Sequence, residues 1–257
     1  MNRGSRIRST HERYDTAVGH YMREREKRLI LDLTEPKEGE YVLSVGRDAR
    51  HTLIIFRTKG CCVTGIEQPS GICRRDSDAP EEHAHIFTGT AEDLPFSDNQ
   101  FDLVALIGAL EFTQDPETAI AEAIRVCRDR VFLGVTNKYS FASFRLNTSS
   151  QEQTPIRLYH PVELRTMVKK QIGRAEFQWG SVLFLPQGWY RFAAVLEEAI
   201  PVRKNPFGSF FGLSFAVNYT YRTIQEPLTE TLHFRADAGS PVPGAIRESN
   251  HARGNTR

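Results

Sequence analysis

Gly46 and Glu67 are two residues whose types and spacing suit the binding of a small molecule. Each ends an apolar run, "YVLSVG" for the glycine and "CCVTGIE" for the acid, and they lie 21 positions apart. A glycine at such a turn lets the backbone come close to a ligand, and an acid about 20 residues later accepts hydrogen bonds from ribose hydroxyls. The pair therefore indicates a nucleoside-type ligand. The alternative, which is equally typical of an acid at a strand end, is that Glu67 is an ordinary surface residue.

Predicted strands and helices alternate around this pair. Buried strands are predicted at "YVLSVG", "CCVTGIE", "FDLVALIG" and "RVFLGVT", and helices at "HTLIIFRTK" and "ETAIAEAIRVCR". Asp115 and Pro116 have the residue types of an N-cap and a first helical position for the second helix. Two later runs, 175–186 and 214–223, predict an edge pair of strands. The sequence therefore predicts an α/β fold with a doubly wound, mostly parallel sheet and a terminal antiparallel strand.

The chain has the size and composition of one globular domain. It has 257 residues, of which 40% are hydrophobic. We predict a domain over residues 17–228, a mobile arm at 1–16 and a disordered tail at 229–257, since both ends contain few large apolar residues. The N-terminus has no secretory apolar run, and the longest uncharged segment, 205–221, is interrupted by proline and glycine. We therefore expect a cytoplasmic protein without an integral membrane segment.

Charge and motif content argue against several functional classes. The 33 basic and 32 acidic side chains give a formal charge of +1, so no global field attracts nucleic acid. The chain has neither the dinucleotide motif G-x-G-x-x-G nor the phosphate loop G-x-x-x-x-G-K-[ST]. His83 and His85 lie in a charged stretch, where solvent exposure is more usual than metal binding. We therefore expect no nucleic-acid partner and no metal site.

A contiguous motif, "AEDLPF" at residues 91–96, precedes the strand that begins "FDLV". With the strand, helix and strand that follow in phase, this stretch resembles the middle of class I S-adenosylmethionine-dependent methyltransferases of the type 11 group. The resemblance covers about residues 40–140. It implies a Rossmann-like fold and S-adenosyl-L-methionine as the cofactor.

The same resemblance implies a role for each turn at the sheet edge. The turn after the first strand cradles the amino-acid part of the cofactor, and the acid that ends the second strand holds the ribose. The "AEDLPF" turn meets the adenine, and the end of the strand "FDLVALI" lies under the reactive methyl group. The implied cofactor-binding residues are Gly46, Arg47, Asp48, Glu67, Gln68, Ala91, Glu92, Ile107 and Gly108.

The first turn differs from the family pattern of an acid, one residue and then G-x-G-x-G. Ser44, Gly46, Asp48 and Arg50 stand at these positions. In one interpretation, Arg47 or Arg50 pairs with the cofactor carboxylate, and the protein methylates a small apolar or aromatic acceptor. In the other, side chains partly fill the pocket, and the protein is a noncatalytic homologue that serves as a partner-binding or regulatory scaffold.

Tyr159 and His160, in "LYHPVEL", are candidates for the acceptor pocket, with His160 as a general base. The alternative, which is the more usual arrangement, is that they staple and cap the helix that follows. The aromatic segment 186–213 is long for a connection, and it is interpreted as a lid or as a surface for a protein partner.

Overall fold

The computed structural model describes residues 17–46, 49–68, 85–138, 140, 157–173, 175–184, 197 and 200–217. The strands are β1 Tyr41–Gly46, β2 Cys62–Glu67, β3 His85–Thr88, β4 Phe101–Ile107, β5 Cys127–Thr136, β6 Phe177–Val182 and β7 Phe210–Ala216. The helices are α1 Ala17–Thr34, α2 Ala49–Arg57, α3 Pro116–Val126 and α4 Pro161–Ile172, with a short 3₁₀ helix at Leu110–Phe112. The predicted arm 1–16 and tail 229–257 lie outside the described residues.

The strands of the described residues form one sheet in the order β3-β2-β1-β4-β5-β7-β6. The five strands from β3 to β5 are parallel to one another, and β7 runs antiparallel between β5 and β6. This topology confirms the predicted fold class, including the antiparallel terminal strand. Within the described residues, no helix has the length and apolarity needed to cross a membrane.

Hydrophobic side chains cover both faces of the sheet. On one face, α1 and α2 contribute Leu29, Leu53 and Phe56 to a buried cluster. On the other face, α3 and α4 contribute Ile120 and Leu164 to a second cluster. Helices therefore pack on both sides of the sheet, which explains why its central strands are continuous apolar runs.

The helix α3 begins as the sequence predicts. Asp115 is its N-cap, and the carboxylate accepts hydrogen bonds from the backbone N–H groups of Glu117 and Thr118 at 3.0 and 3.2 Å. Pro116 occupies the first helical position, where a missing N–H group costs nothing. These contacts lower the pKa of Asp115 from its usual value, chiefly through its hydrogen bonds to Thr118.

Two strands differ from the prediction. The stretch that contains His85 was interpreted as a charged loop, but His85–Thr88 forms the edge strand β3 beside β2. This strand is short and mostly exposed, so it lacks the alternating pattern that identifies a strand. The other, β7, begins at Phe210 rather than at Ser214. His83 lies outside the described residues.

Gly46 lies where β1 and β4 come closest. A Cβ atom built on Gly46 would stand 2.0 Å from the carbonyl oxygen of Ile107, far inside any acceptable contact. Because both groups belong to backbones in the centre of the sheet, a side chain at this position would force the two strands apart. Glycine is therefore required here by packing alone.

We predict that Gly46→Ala lowers the free energy of unfolding by about 3 kcal/mol, at the upper end of typical overpacking costs. Gly108→Ala is the control, because its Cβ would meet nothing within 4 Å and only the left-handed backbone, with φ of +61°, opposes it. That strain costs about 1–2 kcal/mol. Urea unfolding followed by circular dichroism measures both changes, and equal losses would contradict the close-contact explanation.

Candidate functional site

The carboxyl ends of β1 and β2 bring several predicted residues together. Gly46 is the register partner of Glu67 in the parallel pair. The backbone N–H of Gln68 donates to the carbonyl oxygen of Gly46 at 3.3 Å, and that of Gly89 donates to Glu67 at 3.2 Å. The second bond holds the segment leading to Ala91 against the end of β2. Residues implied for the ribose and the adenine therefore lie at one edge of the sheet.

Gln68 has an unsatisfied group at this edge. The residue is buried, and its Oε1 atom has no hydrogen-bond partner among the described residues. A buried carbonyl oxygen without a donor costs about 1–3 kcal/mol. Because this atom is enclosed by the protein, the contact of Gln68 with a cofactor stays a prediction.

The end of β4 borders open space beside Gly46. The carbonyl of Ile107 faces Gly46, and the N–H group of Gly108 donates to Gly134 at 2.9 Å. Gly108 has a φ of +61°, and nothing lies within 4 Å of where its Cβ would stand. Ile107 and Gly108 thus lie next to the first turn, as the resemblance implies.

The "AEDLPF" turn is fastened to α3. The Arg125 guanidinium donates to the carbonyl oxygens of Leu94 and Phe96 at 3.1 and 2.9 Å. The Glu122 carboxylate accepts from the backbone N–H of Leu94 at 3.1 Å. These two side chains were not singled out from the sequence, because a helical Glu and Arg three positions apart resemble any exposed pair. They fix the turn as one rigid piece.

Ala91 and Glu92 take part in this rigid piece. Ala91 is fully buried in the core. The Oε1 atom of Glu92 accepts the N–H group of Gln114 at 2.8 Å, so one carboxylate oxygen already has a structural partner. Both residues lie at the edge where the adenine contact is predicted, and that contact stays a prediction.

Arg50 contacts the acid predicted to hold the ribose. Its Nε atom lies 3.5 Å from Oε2 of Glu67, and the two side chains are 43% and 37% exposed. The sequence interpretation placed Arg50 or Arg47 on the cofactor carboxylate instead, and in the structure Arg50 is directed to Glu67. Arg47 and Asp48 lie outside the described residues. An exposed pair of this kind contributes at most about 1 kcal/mol, so a ligand can displace it.

A cavity of about 340 Å³ lies between the start of α4 and the β6–β7 edge. Trp179, Phe207 and Phe211 form its aromatic walls, His160 and Arg165 also line it, and almost all of the exposed lining is apolar. The buried Asn137, just beyond β5, shapes the cavity by donating from its Nδ2 atom to the carbonyl oxygens of Pro206 and Gly208 at 2.6 and 2.8 Å. The cavity therefore lies beside the carboxyl end of β5.

Comparison with known proteins identifies the fold's family. Residues 43–133 match the family model described as a methyltransferase domain. This match places a methyltransferase domain over the part of the chain from β1 to β5. S-adenosyl-L-methionine is the cofactor of this methyltransferase family. No curated protein matches the chain in sequence.

Solved structures share the methyltransferase fold over most of the chain. One is from Thermotoga maritima and is assigned as a candidate histamine N-methyltransferase, with 23% identity, a TM-score of 0.62, and coverage of 78% of this chain and 91% of that one. Another is a Haloferax volcanii protein assigned as a methyltransferase, in complex with the Trm112 methyltransferase activator. It has 15% identity, a TM-score of 0.57, and coverage of 75% and 88%. At these identities the likeness shows the fold.

Tyr159 of this methyltransferase has a structural position. Its side chain is fully buried, and its hydroxyl donates to the carbonyl oxygen of Leu110 at 2.8 Å. Burial raises the pKa of Tyr159 to about 12, so the phenol is neutral near pH 7. Its ring joins the same core cluster as Leu164 of α4, which is the contact of a hydrophobic staple. This placement is the staple that the sequence offered as the alternative, and the catalytic role of Tyr159 stays a prediction.

His160 caps α4 and also lines the cavity. Its Nδ1 atom accepts the backbone N–H of Val162 at 3.1 Å. A neutral imidazole that accepts at Nδ1 carries its proton on Nε2, so it has no second nitrogen with which to accept another. His160 is therefore the N-cap of α4 and lines the cavity, and its role as a general base stays a prediction.

Glu111 is a buried acid that sequence reasoning missed. It lies in the 3₁₀ helix just after β4, and its Oε1 atom accepts the backbone N–H of Thr136 at 2.7 Å. Its Oε2 atom has no hydrogen-bond partner among the described residues. Burial raises the pKa of Glu111 above its usual value. In this methyltransferase the side chain joins the ends of β4 and β5, and a single acid in "ALEFTQ" gives no local signal for that contact.

Arg50→Gln is expected to tighten the binding of S-adenosylhomocysteine by roughly 2–5-fold at low salt, because Glu67 then needs no displacement. Added salt should narrow the difference between variant and wild type. Calorimetric titration measures both affinities, with Arg57→Gln, which removes a charge from the other end of α2, as the control. Weaker binding by Arg50→Gln would instead support a contact between Arg50 and the ligand carboxylate.

Glu111→Gln tests the buried acid by its effect on stability at different pH. The folded chain holds the Glu111 proton more tightly than the unfolded chain, whose glutamate pKa is about 4.3. Wild-type stability should therefore fall as pH rises from about 4.3 through the folded pKa. The glutamine variant keeps an acceptor for Thr136 and cannot ionise, so its stability relative to wild type should increase between pH 4 and pH 7.

Chemical unfolding at the two pH values provides this comparison. Glu111→Ala is the matched control, because it leaves the Thr136 N–H group unpaired and should be destabilised at both pH values. A glutamine variant whose stability relative to wild type decreases toward neutral pH would contradict the assignment.

Proposed function

We propose that the protein transfers a methyl group from S-adenosyl-L-methionine to a small, apolar or aromatic acceptor. The observation that carries this proposal is the apolar cavity beside the carboxyl end of β5. The hydroxyl of Tyr159 reaches Leu110, two residues after Gly108, and the next residue, His160, lines the cavity. Tyr159 and His160, which are adjacent in sequence, therefore connect the segment after Gly108 with the wall of the cavity.

Residues of this chain would bind and orient both molecules. When bound, S-adenosyl-L-methionine supplies an electrophilic methyl group on its sulfonium. Glu67 would accept hydrogen bonds from the ribose hydroxyls after releasing Arg50. The aromatic walls of the cavity would hold the acceptor and exclude water.

A noncatalytic homologue is the second candidate function. The contact between Arg50 and Glu67 favours it, because the acid predicted to hold the ribose has a partner from its own chain. In that case the domain would act as a scaffold for a protein partner. The segment 186–213 predicted for such contacts lies partly outside the described residues.

Glu67→Gln is expected to weaken S-adenosylhomocysteine binding by about 10-fold or more, since hydrogen bonds to a charged group contribute about 1.5–3 kcal/mol. Calorimetry measures this, with Glu38→Gln as a control at an exposed turn before β1. Production of S-adenosylhomocysteine, followed by mass spectrometry, then tests candidate acceptors.

The noncatalytic candidate gives a different result in the same titration. The wild type would show no heat at millimolar S-adenosylmethionine or S-adenosylhomocysteine. Heat that appears only in the variant Asp48→Gly/Arg50→Gly would show that the altered first turn prevents binding.

A further inference from the structure

Leu183, the residue after β6, has a backbone conformation that is unusual for its type. Its φ is +68°, in the left-handed region, and its side chain is buried. Among the described residues, three other non-glycine residues have a positive φ, and all three are polar. An apolar residue gains nothing locally from this conformation, because its Cβ atom crowds the carbonyl oxygen that follows. Contacts from elsewhere in the fold must therefore hold Leu183 in place.

The contact that holds Leu183 is made by Glu197, a fully buried acid. The Oε1 atom of Glu197 accepts the backbone N–H of Leu183 at 2.7 Å. Arg25 of α1 lies beside the acid, with its Nε atom 3.9 Å from Oε1 and its Nη2 atom donating to the backbone carbonyl oxygen of Glu197 at 3.4 Å. The Oε2 atom has no hydrogen-bond partner among the described residues. The strong hydrogen bond of this carboxylate is therefore directed to the strained residue.

The same bend supports one wall of the apolar cavity. The carbonyl oxygen of Leu183 accepts the N–H group of Ser209, and the Oγ atom of Ser181 accepts that of Gly208, both at 3.0 Å. Phe207, which lines the cavity, directly precedes Gly208. The direction of the chain at Leu183 therefore contributes to the position of Phe207.

We propose that Glu197 is a positioning residue for the apolar cavity. It holds Leu183 in the left-handed conformation, and Leu183 in turn holds the loop of residues 206–209 against the end of β6. Through Arg25, the same acid connects α1 with the cavity wall. The part that this wall plays in binding a methyl acceptor rests on the proposed function. The positioning itself does not, because it requires only the contacts of the folded chain.

Hydrogen exchange of the full chain, measured by mass spectrometry, tests the positioning without any ligand. Glu197→Ala removes the acceptor for Leu183, so the amides of residues 207–210 should exchange about 10-fold faster or more, as expected for the loss of a hydrogen bond to a charged group. Glu197→Gln keeps an oxygen acceptor and should increase the exchange less than Glu197→Ala does. Peptides from α3 report on the rest of the fold, and their exchange should stay as in wild type.

A second substitution separates positioning from a general loss of stability. In Leu183→Gly/Glu197→Ala, glycine adopts the left-handed conformation without steric cost. Exchange of residues 207–210 should then be about 5-fold slower than in Glu197→Ala, because the strain of an L residue is removed. If Glu197 contributed only stability, loss of the buried Leu183 side chain would make exchange faster still. Leu183→Gly alone is the control, and the loop should stay protected because Glu197 is present.

The cavity itself is probed with the neutral 2-naphthalenemethanol, titrated calorimetrically without cofactor. Glu197→Ala should weaken the binding of this probe by about 3–10-fold, because the wall is in place in fewer molecules. The double variant should bind the probe more tightly than Glu197→Ala does.

Four results would overturn the proposal: loop exchange in Glu197→Ala equal to wild type, an equal acceleration in the α3 peptides, faster loop exchange in the double variant than in Glu197→Ala, or equal probe affinities of wild type and Glu197→Ala. A different result would overturn the proposed acceptor cavity and leave the positioning intact. In that case the exchange rates change as expected, while the wild type binds no 2-naphthalenemethanol at millimolar concentration.

Discussion

The close approach of β1 and β4 at Gly46 determines how much of the first turn can vary. The Ile107 carbonyl fills the space where a side chain would begin, so glycine is required at this position whether or not a ligand binds. Position 50 lies beyond this contact, and there a large cation is accommodated. The retained glycine is thus explained by the sheet, whereas the substitutions after it concern the ligand.

A second set of contacts, the hydrogen bonds of Tyr159 and Asn137, holds together the segments around the cavity. Tyr159 ties the start of α4 to the 3₁₀ helix after β4, and Asn137 holds the loop at Pro206–Gly208. Both side chains are fully buried, and their polar groups donate to backbone carbonyl oxygens. Side chains that satisfy backbone groups in this way define the shape of a cavity more firmly than apolar packing alone.

The sequence predicted the parts of the fold that have a local cause. Strand periodicity gave the central sheet, and the Asp115 cap was correct because capping depends on residues two and three positions away. The strand β3 was missed because a short exposed edge has no such pattern. The pairing of Arg50 with Glu67 and the buried contact of Glu111 depend on residues distant in sequence, so local composition could not reveal them. For His160 the sequence left a helix cap and a general base open, and the structure shows the cap through the Nδ1 hydrogen bond.

The position of β7 has a consequence for the order in which the molecule is assembled. Within the described residues, β7 is the last strand along the chain, and it enters between β5 and β6. During synthesis from the N-terminus, the edge formed by β1, β2 and β4 is complete long before β7 emerges. The strand β6 must wait for β7, because its ladder partner in the sheet is β7. The cavity wall, which takes Trp179 from β6 and Phe211 from β7, can therefore be completed only after β7 has been synthesised.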